Sequence, residues 1–269
     1  MIALPPTELP ASAAVKLAEY QTEVNAERGF AARVAAAKRL FSARNTTRNA
    51  AFRQVRATLD RMCSGERRCC YCEDSAADEV EHIRPKDWFP ERAFVWENYL
   101  YACGPCNGPK NNSFSVFDPE SGEELALEDL TRQPTQAQRD ADPLLIDPRA
   151  ENPLDFLDLD LDGTFYFLPR LRLSSRNRRR AEYTIELLKL NERDLLVRAR
   201  RNAFGTYRAR VREYATRRDE GALEPELTAL VDDLRRVPHP TVWVEMQRQA
   251  DTIPRLRQLF DRCPEALDW

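Results

Sequence analysis

Between residues 45 and 62 the apolar side chains Phe52, Val55, Leu59 and Met62 recur at i, i+3, i+7 and i+10, one stripe of helical period. Asn45-Thr46-Thr47 offers N-caps ahead of it, because their short side-chain oxygens can accept from the free amides of a first turn. Ala31–Leu40, rich in alanine and basic residues, predicts another helix, so the first sixty residues read as helical. The period then shortens. Val80–Ile83 and Phe94–Trp96 read as short strands within a cysteine-rich segment. Residues 118–152 carry prolines, acids and glutamines without a clear period and read mostly as loop. Leu154–Leu168 holds two apolar runs around Asp162-Gly163, which predicts a hairpin. Helical period returns with Leu196, Ala199, Ala203, Tyr207, Val211 and Tyr214, a stripe that reads as core, with arginines on the other faces. Further helices are expected at about 223–236 and 241–262. The pattern is that of a mostly helical α+β chain. It divides into an N-terminal helical segment (1–64), a small α/β module (65–117), an acidic loop and hairpin region (118–170) and a basic helical region (171–269).

Composition adds a compartment and a charge pattern. The chain has 269 residues, and no apolar run approaches the ~20 residues of a membrane span. MIALPPTELP lacks the basic and apolar regions of a secretory signal, so a cytoplasmic location is expected. Cysteines stay reduced there, and seven of them argue for metal or packing rather than disulfides. The net charge of −3 hides a separation. From Asp118 to Asp162 there are 14 acids and 3 bases; from Arg170 to Arg218 there are 16 bases and 5 acids. The basic stretch, with Arg176, Arg178, Arg179 and Arg180 at its densest point, suits a phosphate backbone; pairing with the acidic stretch is the other reading.

Cys69-Cys70-Tyr71-Cys72 and Cys103-Gly104-Pro105-Cys106 form two C-x2-C knuckles with thirty residues between Cys72 and Cys103. Each knuckle turns two thiolates toward one ion, and two knuckles complete the tetrahedral shell that zinc prefers. A closed sulfur shell leaves no open position, so zinc on Cys69, Cys72, Cys103 and Cys106 would be structural. Cys70 is spare, and Cys63 and Cys263 read as ordinary helix cysteines.

Between the knuckles stands Glu81-His82-Ile83-Arg84-Pro85-Lys86; Asn98 follows in Trp96-Glu97-Asn98-Tyr99-Leu100, and Asn107-Gly108-Pro109-Lys110 follows the last cysteine of the pair. This order resembles the HNH nucleases of the ββα-metal class. The resemblance implies a ββα module around a structural zinc, with His82 as general base and Glu81 and Asn107 on a catalytic magnesium or manganese ion. It also implies that Asn98 orients the histidine through a backbone contact, and that Lys110, Arg84 and Lys86 meet nucleic acid. Phosphodiester hydrolysis needs an activated water and a neutraliser for the crowded phosphorane. A neutral histidine and a divalent ion on hard oxygen ligands supply these. Glu81 and His82 can share a site only if the strand ends or bends there, and Pro85 supports that break. Gly108-Pro109 would disturb a helix starting nearby, which leaves Asn111 as the substitute for Asn107.

Tyr71-Cys72-Glu73, the Glu81–Lys86 run, Phe94-x-Trp96-x-Asn98 and Cys106-Asn107-x-x-Lys110 are also similar to the nuclease subunits of Septu antiphage systems, related forms of which accompany some retrons. Leu145-Ile146-Asp147-Pro148 and Thr184-Ile185-Glu186-Leu187-Leu188-x-Leu190-Asn191 extend that resemblance. It implies bacterial defence and an ABC-type ATPase partner, with DNA the expected target and RNA the alternative. A free-standing restriction or homing-type HNH enzyme, and a zinc-dependent nucleic-acid-binding module without chemistry, are the competing readings.

Overall fold

The computed structural model describes every residue except Glu66. Three helices open the chain: α1 (Ala11–Asn25), α2 (Phe30–Arg44) and α3 (Ala50–Met62). The expected stripe on α3 is buried at Phe52, Val55, Leu59 and Met62. Its cap is not in Asn45-Thr46-Thr47 but at Asn49, whose side chain accepts from the amides of Ala51 and Phe52. Those amides are the free donors of the first turn, and only Asn49 adjoins them.

Next comes a ββα unit: β1 (Glu79–His82), β2 (Tyr99–Ala102) and α4 (Gly104–Lys110). The strands are antiparallel, with Glu79 opposite Ala102 and His82 opposite Tyr99. The second strand therefore follows Phe94–Trp96 rather than occupying it. Phe94 sits edge-on to Tyr20, centroids 5.4 Å apart, and the Trp96 indole donates to Thr7 O at 2.9 Å. These aromatics bind the loop to the N-terminal segment, so their apolar character marks loop packing, not a strand.

Residues 118–152 hold more order than their composition suggests. β3 (Ser115–Phe117) pairs with β4 (Glu124–Ala126), and α5 (Gln136–Asp140) starts in a capping box between Thr135 and Gln138. The expected hairpin is β5 (Leu157–Leu159) with β6 (Phe167–Pro169). Then follow α6 (Ser175–Leu187), α7 (Asp194–Asp219), α8 (Glu224–Arg235), α9 (Pro240–Arg248) and α10 (Pro254–Arg262). The helix expected over 241–262 is split in two, because Pro254 cannot donate into a preceding helix and instead starts a new one. On α7, Leu196, Ala203, Tyr207 and Val211 are buried, while Ala199 and Tyr214 are half-buried. One hydrophobic cluster runs from α1 through the hairpins to α10, and among the described residues no helix is long and apolar enough to cross a membrane.

Two hydroxyls dock α6. Tyr183 accepts from Ser115 N and Thr184 from Ile146 N, both at 3.0 Å and buried. The second bond joins the Leu145-Ile146 and Thr184-Ile185 motifs, which lie far apart in the sequence. Thr184→Val keeps the shape but strands the Ile146 amide, at a cost of about 1–3 kcal/mol. Urea unfolding is expected to show that loss as a lower midpoint with an unchanged slope; an unchanged midpoint refutes the account.

Candidate active site and metal centre

Cys69, Cys72, Cys103 and Cys106 are buried and place their sulfurs within 4.8 Å of one another. A tetrahedral ion with Zn–S bonds of ~2.3 Å sets sulfurs about 3.8 Å apart, and Cys72 and Cys103 stand at 3.8 Å. The donor set fits zinc. Contacts among the four sulfurs hold the Cys72 and Cys103 thiols below their ordinary range and push Cys69 and Cys106 above it. Arg193 donates to Cys106 Sγ at 3.3 Å, adding positive charge beside the cluster. Cys70 points away, 4.0 Å from Cys63, so the spare cysteine is paired with one that sequence reading took as ordinary.

β1 carries its side chains to two environments, as strand alternation requires. Glu81 meets α4, where the Lys110 ammonium lies 2.5 Å from its carboxylate and 2.8 Å from His82 O. Both side chains of this ion pair are buried. Burial pushes the Glu81 carboxyl up, and the Lys110 charge opposes the push. Lys110 thus faces inward, away from solvent.

His82 faces α2 and the loop after β1. Its ring lies 4.4 Å from Phe41 and 5.2 Å from Tyr99. Burial first, then the Lys86 charge, lowers its pKa to about 3, so the ring is neutral at physiological pH. Nε2 lies 2.9 Å from Ala93 O. A carbonyl only accepts, so Nε2 carries the proton and Nδ1 is the free acceptor. Tyr99 donates to the same carbonyl at 2.6 Å.

Asn98 does not touch the ring. Its side chain accepts from Arg84 N at 2.8 Å and donates to Arg84 O and Arg92 O, each at 3.0 Å. It clamps both ends of the loop whose Ala93 carbonyl holds His82.

Asn107 sits in the middle of α4 and donates to Glu79 rather than approaching Glu81. Asn111 is exposed at the helix C-terminus, so of the two candidates Asn107 is the one facing β1. The helix continues through Gly108-Pro109, because it begins at Gly104 and Pro109 removes only one bond in its last turn. Glu79 escaped sequence reading. Its signal was its place two residues before Glu81, on the same strand face.

Arg84 lies over Phe89 and Phe114, at 5.2 and 5.7 Å, and Lys86 over Phe41 at 5.5 Å. The arginines of α6 meet the acidic region. Arg176 pairs with Asp142 at 2.8 Å, Arg179 with Glu124 at 2.7 Å, and Arg180 with Glu151. Among the described residues, Arg178 has only Glu182, at 3.9 Å.

No protein-family profile matches the chain. Over 57 residues it is 40% identical to the Septu protein PtuB of Bacillus thuringiensis, a stretch covering 19% of this chain and 22% of that protein. The stretch supports a Septu-like relationship, and it spans 22% of that relative's length.

The cysteine cluster yields a direct test. Freshly purified protein is expected to contain one zinc per chain by elemental analysis. Cys103→Ala should lose that zinc and unfold at lower temperature, because ion binding stabilises the fold. Metal-free protein with unchanged thermal stability refutes a structural zinc.

Proposed function

We propose that this chain is an HNH-type, metal-dependent endonuclease that hydrolyses phosphodiester bonds of nucleic acid, DNA foremost. In this reading it is the effector of an antiphage defence complex with an ABC-type ATPase. The observation that carries the chemistry is the 2.9 Å contact of the buried His82 Nε2 with Ala93 O, which calls for the ring proton on Nε2 and leaves Nδ1 as acceptor. Such a ring can take a proton from an attacking water without first losing one of its own. Asn98 acts as a positioning residue by holding the loop that carries Ala93.

Glu79, Glu81 and Asn107 bring carboxylate and amide oxygens to facing surfaces of β1 and α4. These hard donors suit magnesium or manganese and would hold the catalytic ion on the α4 side of β1, with the His82 ring on the other side of the strand. When bound, the ion supplies charge neutralisation for the phosphorane and the departing oxygen. Lys110, beside Glu81, adds a fixed positive charge to the same face. The defence role and the ATPase partner rest on the likeness to the Septu protein.

One observation favours a second reading, a zinc-dependent binding module without chemistry: Glu81 and Asn107 already have protein partners in Lys110 and Glu79.

The two are separated by cleavage assays on DNA and RNA, with and without a co-purified ATPase. His82→Ala is expected to lower cleavage by about 10²–10⁴-fold. Because the ring is packed against Phe41, His82→Gln serves as a second variant that keeps a donor for Ala93 O. Glu81→Gln and Asn107→Ala should also fail, but recover partly at higher manganese, whereas the histidine variants should not. Cleavage by His82→Gln at the wild-type rate, or in the absence of free divalent metal, sinks the mechanism. Binding without cleavage under every condition favours the second reading.

A further inference from the structure

α7 carries eight arginines, and they fall into distinct groups. Arg200 is buried and donates to Phe165 O and Leu190 O. Arg210, Arg217 and Arg218 have carboxylate partners in Asp233, Glu226 and Glu265. Arg198, Arg201, Arg208 and Arg212 have no carboxylate within 4.0 Å among the described residues.

These four stand at i, i+3, i+10 and i+14, with Gly205 at i+7. That spacing makes one straight row about 21 Å long. A Cβ built on Gly205 would meet nothing within 4 Å, so the row is open along its middle. Arg198, Arg201 and Arg212 are exposed and Arg208 is half-buried. Two of the guanidinium groups are laid over aromatic rings. Arg201 lies 5.2 Å from the Phe165 centroid, and Arg208 lies 5.4 Å from that of Phe204. Phe204 also carries Arg255 at 4.8 Å. A stacked guanidinium keeps its edge donors outward and its orientation fixed, so it loses little freedom when it meets an anion.

An acid-free row is unfavourable for an isolated helix, because like charges three and four apart repel. On α6, by contrast, Arg176, Arg179 and Arg180 are neutralised by acids of the preceding region. We propose that the Arg198–Arg201–Arg208–Arg212 face of α7 is the surface that binds the sugar–phosphate backbone of the nucleic-acid substrate. This rests on the nuclease reading above and moves the contact from the α6 arginines to α7. A polynucleotide is a line of like anions, and interfaces with it are far more positive than those between proteins. An acidic partner protein is the alternative occupant.

The test uses the full chain with His82→Gln, so that substrate is bound and not cut. Binding of a fluorescein-labelled DNA duplex, and of the matching RNA duplex, is followed by anisotropy across a salt series. The variant changes Arg198, Arg201, Arg208 and Arg212 to Gln, with zinc content and melting temperature as folding controls. Its slope of log K against log salt is expected to fall by about 0.9 per lost phosphate contact, ~3–4 in all. Arg176→Gln with Arg179→Gln should leave the slope unchanged. If the parent binds and the α7 variant keeps its slope, this surface is wrong while the nuclease reading stands. If the variant keeps its slope and instead loses a co-purifying ATPase, the acidic-partner alternative replaces the proposal. If the parent binds neither duplex, the nuclease reading itself fails.

Discussion

Four cysteine sulfurs drawn within 4.8 Å of one another fix the base of the segment that carries the candidate chemistry. Cys69 and Cys72 precede β1, while Cys103 follows β2 and Cys106 lies on α4. Joining them closes the thirty intervening residues into one loop, and the β1–β2 pairing then needs to close only a short remainder. Asn98 ties the far end, since its amide bridges the exit of β1 at Arg84 and the loop at Arg92. A loop fastened at both ends can hold a carbonyl such as Ala93 O in a fixed place. His82 depends on that carbonyl for its tautomer.

The charge pattern resolves along different elements. The acidic region and α6 neutralise each other through Arg176, Arg179 and Arg180, pairs that are at least partly solvent-exposed and each worth little to stability. Such pairs set how α6 lies rather than whether the chain folds; the buried hydroxyls of Tyr183 and Thr184 bear more directly on stability. What is left over is positive charge on one face of α7. The overall balance of −3 gives no hint of this, because it sums segments whose charges are spent in different places.

Much of the framework was legible. The α3 stripe, the hairpin around Asp162-Gly163 and the four cysteines are local signals: a period, a turn and a spacing. The misreadings share a cause. Phe94 and Trp96 looked like strand residues because apolar character does not say what covers it, and here the N-terminal segment does. Asn45 and Asn49 are equally good caps in sequence, and the helix start chose between them. At the site, the residue types and their order were readable but their partners were not. Glu79 for Asn107, and Lys110 for Glu81, follow from which side of a four-residue strand faces α4. A one-residue change of register would exchange those faces, and nothing in the spacing fixes the register.

The cysteine knuckle also determines how the C-terminal helices belong to the site. Glu73, next to Cys72, accepts from the amide and hydroxyl of Thr241 at 3.1 and 2.7 Å. Asp74 lies 3.2 Å from His239 Nε2, and a Cβ on Gly65 would come within 3.2 Å of Arg236 O. Arg193, just ahead of α7, reaches Cys106 Sγ. The same turn that gathers the sulfurs is therefore gripped by α9, by the end of α8 and by the start of α7. A site held only by its own hairpin would tolerate movement of the C-terminal helices. This one does not, because the groups that orient α7 are bonded to the residues flanking the sulfurs. The start of α7 and the strand that carries His82 are thus tied to one junction at the cysteines, so on the proposed reading a polyanion lying along α7 would meet the His82 loop through packed structure rather than through a flexible tether.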